Sequence, residues 1–158
     1  IISQNNNIPR IKGIIERLCE NFGDKIEGGY AFPSAEKIAK LTEADLAPLR
    51  CGFRAKYIID AARKVANGEV DLYALCDMDT ASAAEELMKI KGVGPKVAAC
   101  TLLFGCGHIS SFPVDVWIKR AMQALFSDGL PEVALPYAGI VQQYIFHYAR
   151  LTKLEFDE

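Results

Sequence analysis

Apolar residues return along this chain at intervals of three and four, the spacing that lines one face of a helix, and nowhere do they alternate as a strand requires. The first series, Ile11, Ile14, Ile15, Leu18, Cys19 and Phe22, follows Pro9, which suits a first helical turn, and closes at Gly23. Ser34 can cap a short helix carrying Ile38 and Leu41, and Thr42 with Asp45 forms a capping box ahead of Leu46 and Leu49. After the break at Gly52, Tyr57, Ile58, Ala61, Ala62 and Val65 fall on one face of a helix that ends at Asn67-Gly68. Residues 72–76 make a turn of helix at most. Ser82 and Glu85 form a second capping box, opening a helix with Ala83, Leu87 and Ile90 inward that stops at Gly92. Pro95 starts the next helix, with Val97, Cys100, Thr101 and Phe104 on one side, and the glycines around Cys106 end it. Asp115 can cap a helix with Val116, Met122 and Leu125 on its apolar side. A last helix runs from about Ala138 to Thr152, with Val141, Ile145, Tyr148 and Ala149 inward. The predicted fold is all-α, and no linker or repeat divides residues 1–158, so the chain reads as one helical domain.

With 158 residues, 51% of them hydrophobic, the chain can bury a core. The first residue is Ile1, which suggests a fragment or a processed product. No apolar run approaches the ~18 residues of a transmembrane helix and no secretory signal opens the chain, so the expected setting is intracellular, away from membranes. Five cysteines without Cys-x-x-Cys spacing indicate neither a disulfide framework nor a zinc knuckle, and mostly buried, reduced thiols are expected. His108 and His147 lie far apart, without ligand spacing, and read as structural. The net charge of -2 hides an uneven distribution. Residues 87–120 hold Lys89, Lys91, Lys96, Lys119 and Arg120 against Asp115 alone, whereas residues 65–86 carry six acids and no base. A basic patch on an acidic body and ordinary solvated helix faces fit this equally.

The chemistry-bearing stretch is Lys89–Asp115. Gly92 and Gly94 permit close approaches and expose amides at the start of the following helix, where a phosphate could be held beside Lys89 and Lys91. A lysine attacks carbon only as the free amine, and an ordinary pKa of about 10.4 leaves roughly one in a thousand in that form near neutrality. A helix N-terminus, desolvation and nearby cations together can supply the ~4 kcal/mol needed to change that. Lys96 stands where such influences meet, although position alone favours a solvated lysine in a first helical turn. Asp115 can be both a cap and a carboxylate that stabilises positive charge on a nearby sugar or amine.

These residues resemble a known family. KGVGPKVAAC followed by FPVDVW is similar to the helix-hairpin-helix, Gly/Pro-rich loop and aspartate signature of the DNA glycosylase superfamily. The wider match, through SQNNNIPRI, CGFRAKY and PYAGIVQQYIF, is to 8-oxoguanine DNA glycosylases of the eukaryotic-like class. The resemblance implies a helical glycosylase region with the hairpin at about 80–106 and the aspartate loop at 110–116. It implies a bifunctional glycosylase/AP lyase of base excision repair, acting on duplex DNA that carries 8-oxoguanine opposite cytosine. Lys96 then matches the nucleophile and Asp115 the essential aspartate. Asn5 and Arg10 match positions that fill the gap left by the flipped base and read the estranged cytosine. Phe53 matches the wedge beside that cytosine, Arg54 a second reader, and Gly92 and Gly94 the hairpin's DNA contact. Cys100 and Phe146 match the two faces of the base pocket, and Gln142 a hydrogen-bonding partner of the flipped base. Extruding a base and holding it between flat or polarisable side chains is what such chemistry requires.

The same resemblance implies a monomer with no required cofactor, placed in cytoplasm and nucleoid if bacterial or the nucleus if eukaryotic. A structural cation on the carbonyls of Met88, Ile90 and Val93 is part of the expectation, and an iron-sulfur cluster is not, because no cysteine follows Cys106. Two departures stand out: Trp117 occupies a position where relatives can carry histidine, and the family's β-rich amino-terminal domain has no counterpart in these residues. The alternatives are a non-catalytic helix-hairpin-helix DNA-binding module, and a glycosylase for another damaged purine.

Overall fold

A computed structural model describes residues 1–151. Among the described residues there are seven α-helices: α1 (Ile8–Phe22), α2 (Ala35–Ala39), α3 (Arg54–Ala66), α4 (Thr80–Met88), α5 (Pro95–Gly105), α6 (Val116–Leu125) and α7 (Ala138–Leu151). The expected end of the last helix at Thr152 lies outside the described residues. Single 3-10 turns occupy Ala47–Leu49 and Ala74–Cys76, and a two-turn 3-10 helix occupies Glu132–Tyr137. One small antiparallel hairpin, β1 (Lys25–Ile26) with β2 (Gly29–Tyr30), pairs Lys25 with Tyr30 and Ile26 with Gly29. Two residues per strand are too few to show alternation, and the fold is otherwise helical as the apolar spacing predicts.

The described residues form two compact units, one from residues 1–72 and 87–93, the other from residues 73–86 and 94–151. The units interleave in sequence, so no linker marks their boundary. The core of the first unit gathers Ile14 and Leu18 of α1, Ile38 of α2, Leu46, Leu49 and Cys51, and Ala55, Ile59 and Ala62 of α3. Fully burying side chains such as Ile14 and Leu18 contributes about 1.5–3 kcal/mol each. Two arginines tie the elements through carbonyls that helix ends leave open. Arg17 donates to the Leu49 carbonyl from Nε at 3.1 Å and Nη2 at 2.8 Å, and Arg63 to those of Ala39 and Leu41 at 3.1 and 3.3 Å. In the second unit Ile118 and Ala121 of α6 and Ile145 of α7 form the centre, with Phe112, Met122, Val141 and Phe146 packed around them.

The caps follow the chemistry of their side chains. Asn7 accepts from Arg10 N–H at 3.0 Å and Ser34 from Lys37 N–H at 3.3 Å. Thr42 and Asp45 bond reciprocally, Thr42 N–H to Asp45 Oδ2 at 2.8 Å and Asp45 N–H to Thr42 Oγ1 at 3.4 Å, but the box opens a turn and a 3-10 segment, not an α-helix. The cap of α4 is Asp79, whose Oδ1 accepts from Ala81 and Ser82 at 3.1 and 3.0 Å. Ser82 is therefore inside the helix, which begins earlier than expected.

The buried faces differ from prediction where a helix is apolar on more than one side. On α5 the buried residues are Ala98, Leu102 and Leu103, and Phe104 is exposed. On α6 they are Ile118 and Ala121, with Val116 and Leu125 exposed, and on α3 Ala55 and Ile59 take the centre. Ile15 of α1 and Tyr148 of α7 are exposed as well. Among the described residues, no helix is long and apolar enough to cross a membrane.

Candidate active site

Pro95 opens α5 and places Lys96 in its first turn, on the same helical face as Cys100 one turn later. Gly94, the residue before the helix, provides no side-chain cap, which suits the first-turn amides to an anion. The chain leaves α5 at Cys106, returns through residues 107–114 and enters α6 at Asp115. Asp115 divides its two oxygens: Oδ1 accepts from Ile118 N–H at 2.8 Å, capping α6, and Oδ2 faces the Lys96 ammonium at 3.8 Å. The cap fixes the carboxylate and leaves its second oxygen toward the amine. Lys96 is half exposed, its side chain at 55%, and Asp115 less so at 29%, so the pair is open to a substrate.

Cys100 belongs with them. Burial pushes its thiol above the ordinary range, the Lys96 cation pulls it back and the Asp115 carboxylate adds to the rise. Gln142 of α7 is 6% exposed and donates from Nε2 to the Pro113 carbonyl at 3.2 Å, while its Oε1 accepts from Gln143. It is thus tied to the loop that delivers Asp115, with its amide engaged inside the protein. Phe146, one turn further along α7, packs half-buried on the α6–α7 core with the Arg150 guanidinium 5.7 Å from its ring centre.

The loop before Asp115 is fixed by residues the sequence did not single out. Ser111 is buried, donating its hydroxyl to Ala99 O at 3.1 Å and its N–H to His108 O at 2.9 Å. Gly139 lets α7 come against this loop, its N–H reaching Ile109 O at 2.8 Å. A Cβ there would lie 2.3 Å from Ser111 O and 2.5 Å from Leu103 Cδ1. His108 has the structural role expected of it: Nε2 donates to Leu75 O at 2.7 Å, so Nδ1 is the acceptor for the Thr80 hydroxyl at 3.0 Å. Trp117 is exposed, as are its neighbours Val114 and Val116.

Of the residues expected to contact DNA, the first unit holds Asn5, Arg10, Phe53, Arg54 and Gly92, and Gly94 belongs to the second. Asn5 adopts a left-handed φ of 43° and is exposed. Arg54 holds it there: the guanidinium donates to Asn5 O at 3.0 Å, to Gln4 O and to Cys51 O, and lies 4.5 Å from the Phe53 ring centre. Arg54 is 2% exposed, so it faces backbone carbonyls where the resemblance implied a base reader. Arg10 is exposed and donates to Arg50 O at 3.3 Å, and Phe53 is exposed, meeting Tyr57 edge-on at 6.0 Å.

The glycine turn sits on α3. Gly92 has φ of +81°, and a Cβ on it would lie 2.6 Å from the Tyr57 ring, so both conformation and space demand glycine. Asp60 accepts from Lys91 N–H at 2.7 Å and pairs with the Lys64 ammonium at 3.4 Å, and Lys64 also donates to Lys89 O. Gln4 donates to Gly92 O, tying the turn to the Asn5 segment. Of the carbonyls expected to hold a cation, that of Ile90 accepts from Val93 N–H at 3.0 Å, and the Lys64 ammonium already braces the neighbouring carbonyl of Lys89. Among the described residues, no group of three or more His, Cys, Asp or Glu could hold a metal ion. Tyr57 was legible only as a position on the apolar face of its helix, and Asp60 and Lys64 only as charged positions of the same amphipathic helix.

The profile of the HhH-GPD superfamily, base excision DNA repair proteins, matches residues 1–130. The N-glycosylase/DNA lyase of Saccharomyces cerevisiae is 40% identical over 136 residues, which are 76% of this chain and 36% of that protein. The DNA-3-methyladenine glycosylase of Bacillus subtilis is 33% identical over 120 residues, 73% of this chain and 40% of that one. The Clostridium acetobutylicum 8-oxoguanine glycosylase/lyase, solved with duplex DNA containing cytosine opposite to 8-oxoG, superposes with a TM-score of 0.83 at 38% identity. That match covers 97% of this chain and 58% of the other. The chain thus spans well under half the length of the two curated relatives. With the hairpin, the glycine turn and the capped aspartate in place within the matched residues, the chain belongs to the HhH-GPD superfamily of base excision DNA repair proteins.

Proposed function

We propose that this chain is the catalytic helical part of a bifunctional DNA glycosylase and AP lyase that excises 8-oxoguanine from duplex DNA. The observation that carries the reading is the Lys96–Asp115 pair, an amine and a fixed carboxylate oxygen 3.8 Å apart at an open surface. In this reading Lys96, as the free amine, attacks the anomeric carbon of the extruded nucleotide. The carbon–nitrogen bond to Lys96 forms as the glycosidic bond breaks, and the base leaves with a proton. Asp115 Oδ2 stabilises the cationic sugar and takes part in the proton transfers. The sugar ring of the adduct then opens, the bond from C1′ to the ring oxygen breaking as that oxygen takes a proton, to give a Schiff base, which acidifies the adjacent sugar carbon; β-elimination then breaks the strand on the 3′ side, the 3′ phosphate departing.

Cys100 and Phe146 supply the polarisable and flat faces for the base, and Gln142 turns its amide from Pro113 to the base's pairing edge. Asn5, Arg10 and Phe53 fill the vacated stack and contact the opposite cytosine, with Arg54 holding Asn5 in its left-handed conformation. The amides after Gly92 and Gly94 take the phosphate. A structural cation on the carbonyls of Met88, Ile90 and Val93 would brace the turn, and no chemical step passes through it.

Borohydride reduction tests this directly. The intact protein with an 8-oxoguanine duplex should give a covalent protein–DNA adduct, and Lys96→Gln should give none. Trapping by Lys96→Gln at the wild-type level overturns the mechanism. A second reading, a glycosylase for another damaged purine, is favoured by the similarity to a 3-methyladenine glycosylase. Excision rates over a panel of oxidised and alkylated purines, each opposite all four bases, separate the two.

A further inference from the structure

Cys76 ends the 3-10 turn Ala74–Cys76, and Cys106 is the cap residue of α5; neither takes part in the chemistry above. Both backbones are held in place within the second unit. Cys76 N–H bonds to Tyr73 O at 3.2 Å, and Cys106 and His108 both donate N–H to Leu102 O, at 3.2 and 3.0 Å. The His108 ring then bridges the two segments, its Nε2 donating to Leu75 O at 2.7 Å. Residues 75 and 108 are thereby clamped together, and the cysteines beside them meet, thiol hydrogen-bonded to thiol. Cys76 is exposed and Cys106 half-buried. The expectation of mostly buried thiols fails, since Cys51 is buried, Cys19, Cys100 and Cys106 are half-buried and Cys76 is exposed, and the odd number of cysteines had concealed a spatial pair.

We infer that Cys76 and Cys106 form an oxidative modification site, closing to a reversible disulfide that ties the Ala74–Cys76 turn to the end of α5. The reacting partner is a small hydroperoxide. The Cys76 thiolate attacks the terminal peroxide oxygen: a sulfur–oxygen bond forms, the oxygen–oxygen bond breaks, and the departing oxygen leaves after protonation as the alcohol, or as water where the oxidant is hydrogen peroxide. Cys106 then attacks the Cys76 sulfenic sulfur, the sulfur–sulfur bond forms, and the sulfenic oxygen leaves as water with the Cys106 proton. Two thiols have lost two electrons, and the peroxide has gained them. Burial and the adjacent Cys76 push the Cys106 thiol up, which suits the exposed Cys76 to the first step and Cys106 to the second. The closed segment contains α4, the glycine turn and Lys96, so the bond constrains both ends of the hairpin. An intracellular thiol such as glutathione reverses it.

The test is peptide mapping of the intact protein after hydrogen peroxide treatment and alkylation. The expected product is a Cys76–Cys106 linked peptide, lighter by two hydrogens, lost on treatment with dithiothreitol. Both thiols should be protected from alkylation while Cys19 remains alkylated. In Cys106→Ser, Cys76 should instead be captured as a sulfenic acid by dimedone. Free alkylation of both thiols after peroxide, or oxidation of Cys76 beyond sulfenic acid in the wild-type protein with no linked peptide, overturns the proposal. The wild-type map decides the matter even if a variant fails to fold, and none of these outcomes depends on the glycosylase reading.

Discussion

Gly139→Ala sets two physical effects against each other at a site that chemistry alone would overlook. Alanine is favoured over glycine in a helix by up to about 1 kcal/mol, so propensity predicts stabilisation of α7. The structure predicts the reverse. The new Cβ would stand 2.3 Å from the Ser111 carbonyl oxygen, 2.5 Å from Leu103 Cδ1 and 2.9 Å from Ile109 O. Two of these are backbone atoms held by the Gly139–Ile109 and Ser111–His108 hydrogen bonds, so they cannot swing aside as a side chain would. Overpacking of this kind costs about 1–3 kcal/mol. The net expectation is destabilisation by about 1–2 kcal/mol, or a melting temperature lower by about 3–6 °C.

The displaced segment leads directly to Pro113 and Asp115, so adduct trapping should fall as well. Gly105→Ala is the internal control. Nothing lies within 4 Å of its added Cβ at the end of α5, and stability should be unchanged or slightly higher. Thermal denaturation and borohydride trapping of both variants measure the contrast. A Gly139→Ala protein as stable as wild type, with full trapping, would refute the close approach of α7 to the 109–111 loop.

Asp115→Asn keeps an oxygen to accept from Ile118 N–H, so stability should change by less than about 1 kcal/mol, while excision falls by about 10²–10³ if the carboxylate charge stabilises the transition state; melting curves beside single-turnover rates separate the two. Cys100 should alkylate more slowly than a free thiol at pH 8, and Lys96→Gln, by removing the cation that lowers its pKa, should slow it further; faster labelling in Lys96→Gln would contradict their proximity. Asp79 is held below the ordinary carboxylate range by hydrogen bonds from Ser82 and Ala81. A depressed folded value contributes stability above the unfolded pKa and loses it as pH falls through the folded one. Wild type should therefore lose its advantage over Asp79→Asn on acidification below about pH 4, which urea midpoints between pH 6 and 3 will show.

Helix positions were legible because caps and glycines act locally. Ser34 and Asp115 need only their own turn to work, and the series Ile14–Leu18 repeats often enough to define a face. The buried face of α5 was not legible, because its sequence is apolar all round and only the packing partners choose Ala98 and Leu102 over Val97 and Phe104. The chemistry divides in the same way. Lys96 and Asp115 were named from the motif, but their separation depends on how residues 107–114 return, which rests on Ser111 and Gly139. Arg54 was expected as a DNA contact through the family resemblance alone, whereas its burial against three backbone carbonyls follows from the course of residues 4–5 and 51.

The helix-hairpin-helix motif, continuous in sequence, is divided between two structural dependencies. Its turn, residues 87–93, belongs with α3, where Asp60 bonds the Lys91 amide and the Tyr57 ring underlies Gly92. Its second helix belongs with α6 and α7, where Ser111 bonds Ala99 and Asp115 faces Lys96. In the proposed reading the amide after Gly92 therefore rests on one support, and the first-turn amides of α5 and Lys96 on the other, although Gly92 and Lys96 are only four positions apart. Damage to the support of the turn, as in Asp60→Ala, should weaken DNA affinity and its salt dependence while leaving the adduct-forming step at saturating DNA near its wild-type rate. Loss of that step in parallel with affinity would mean that the two supports act as one.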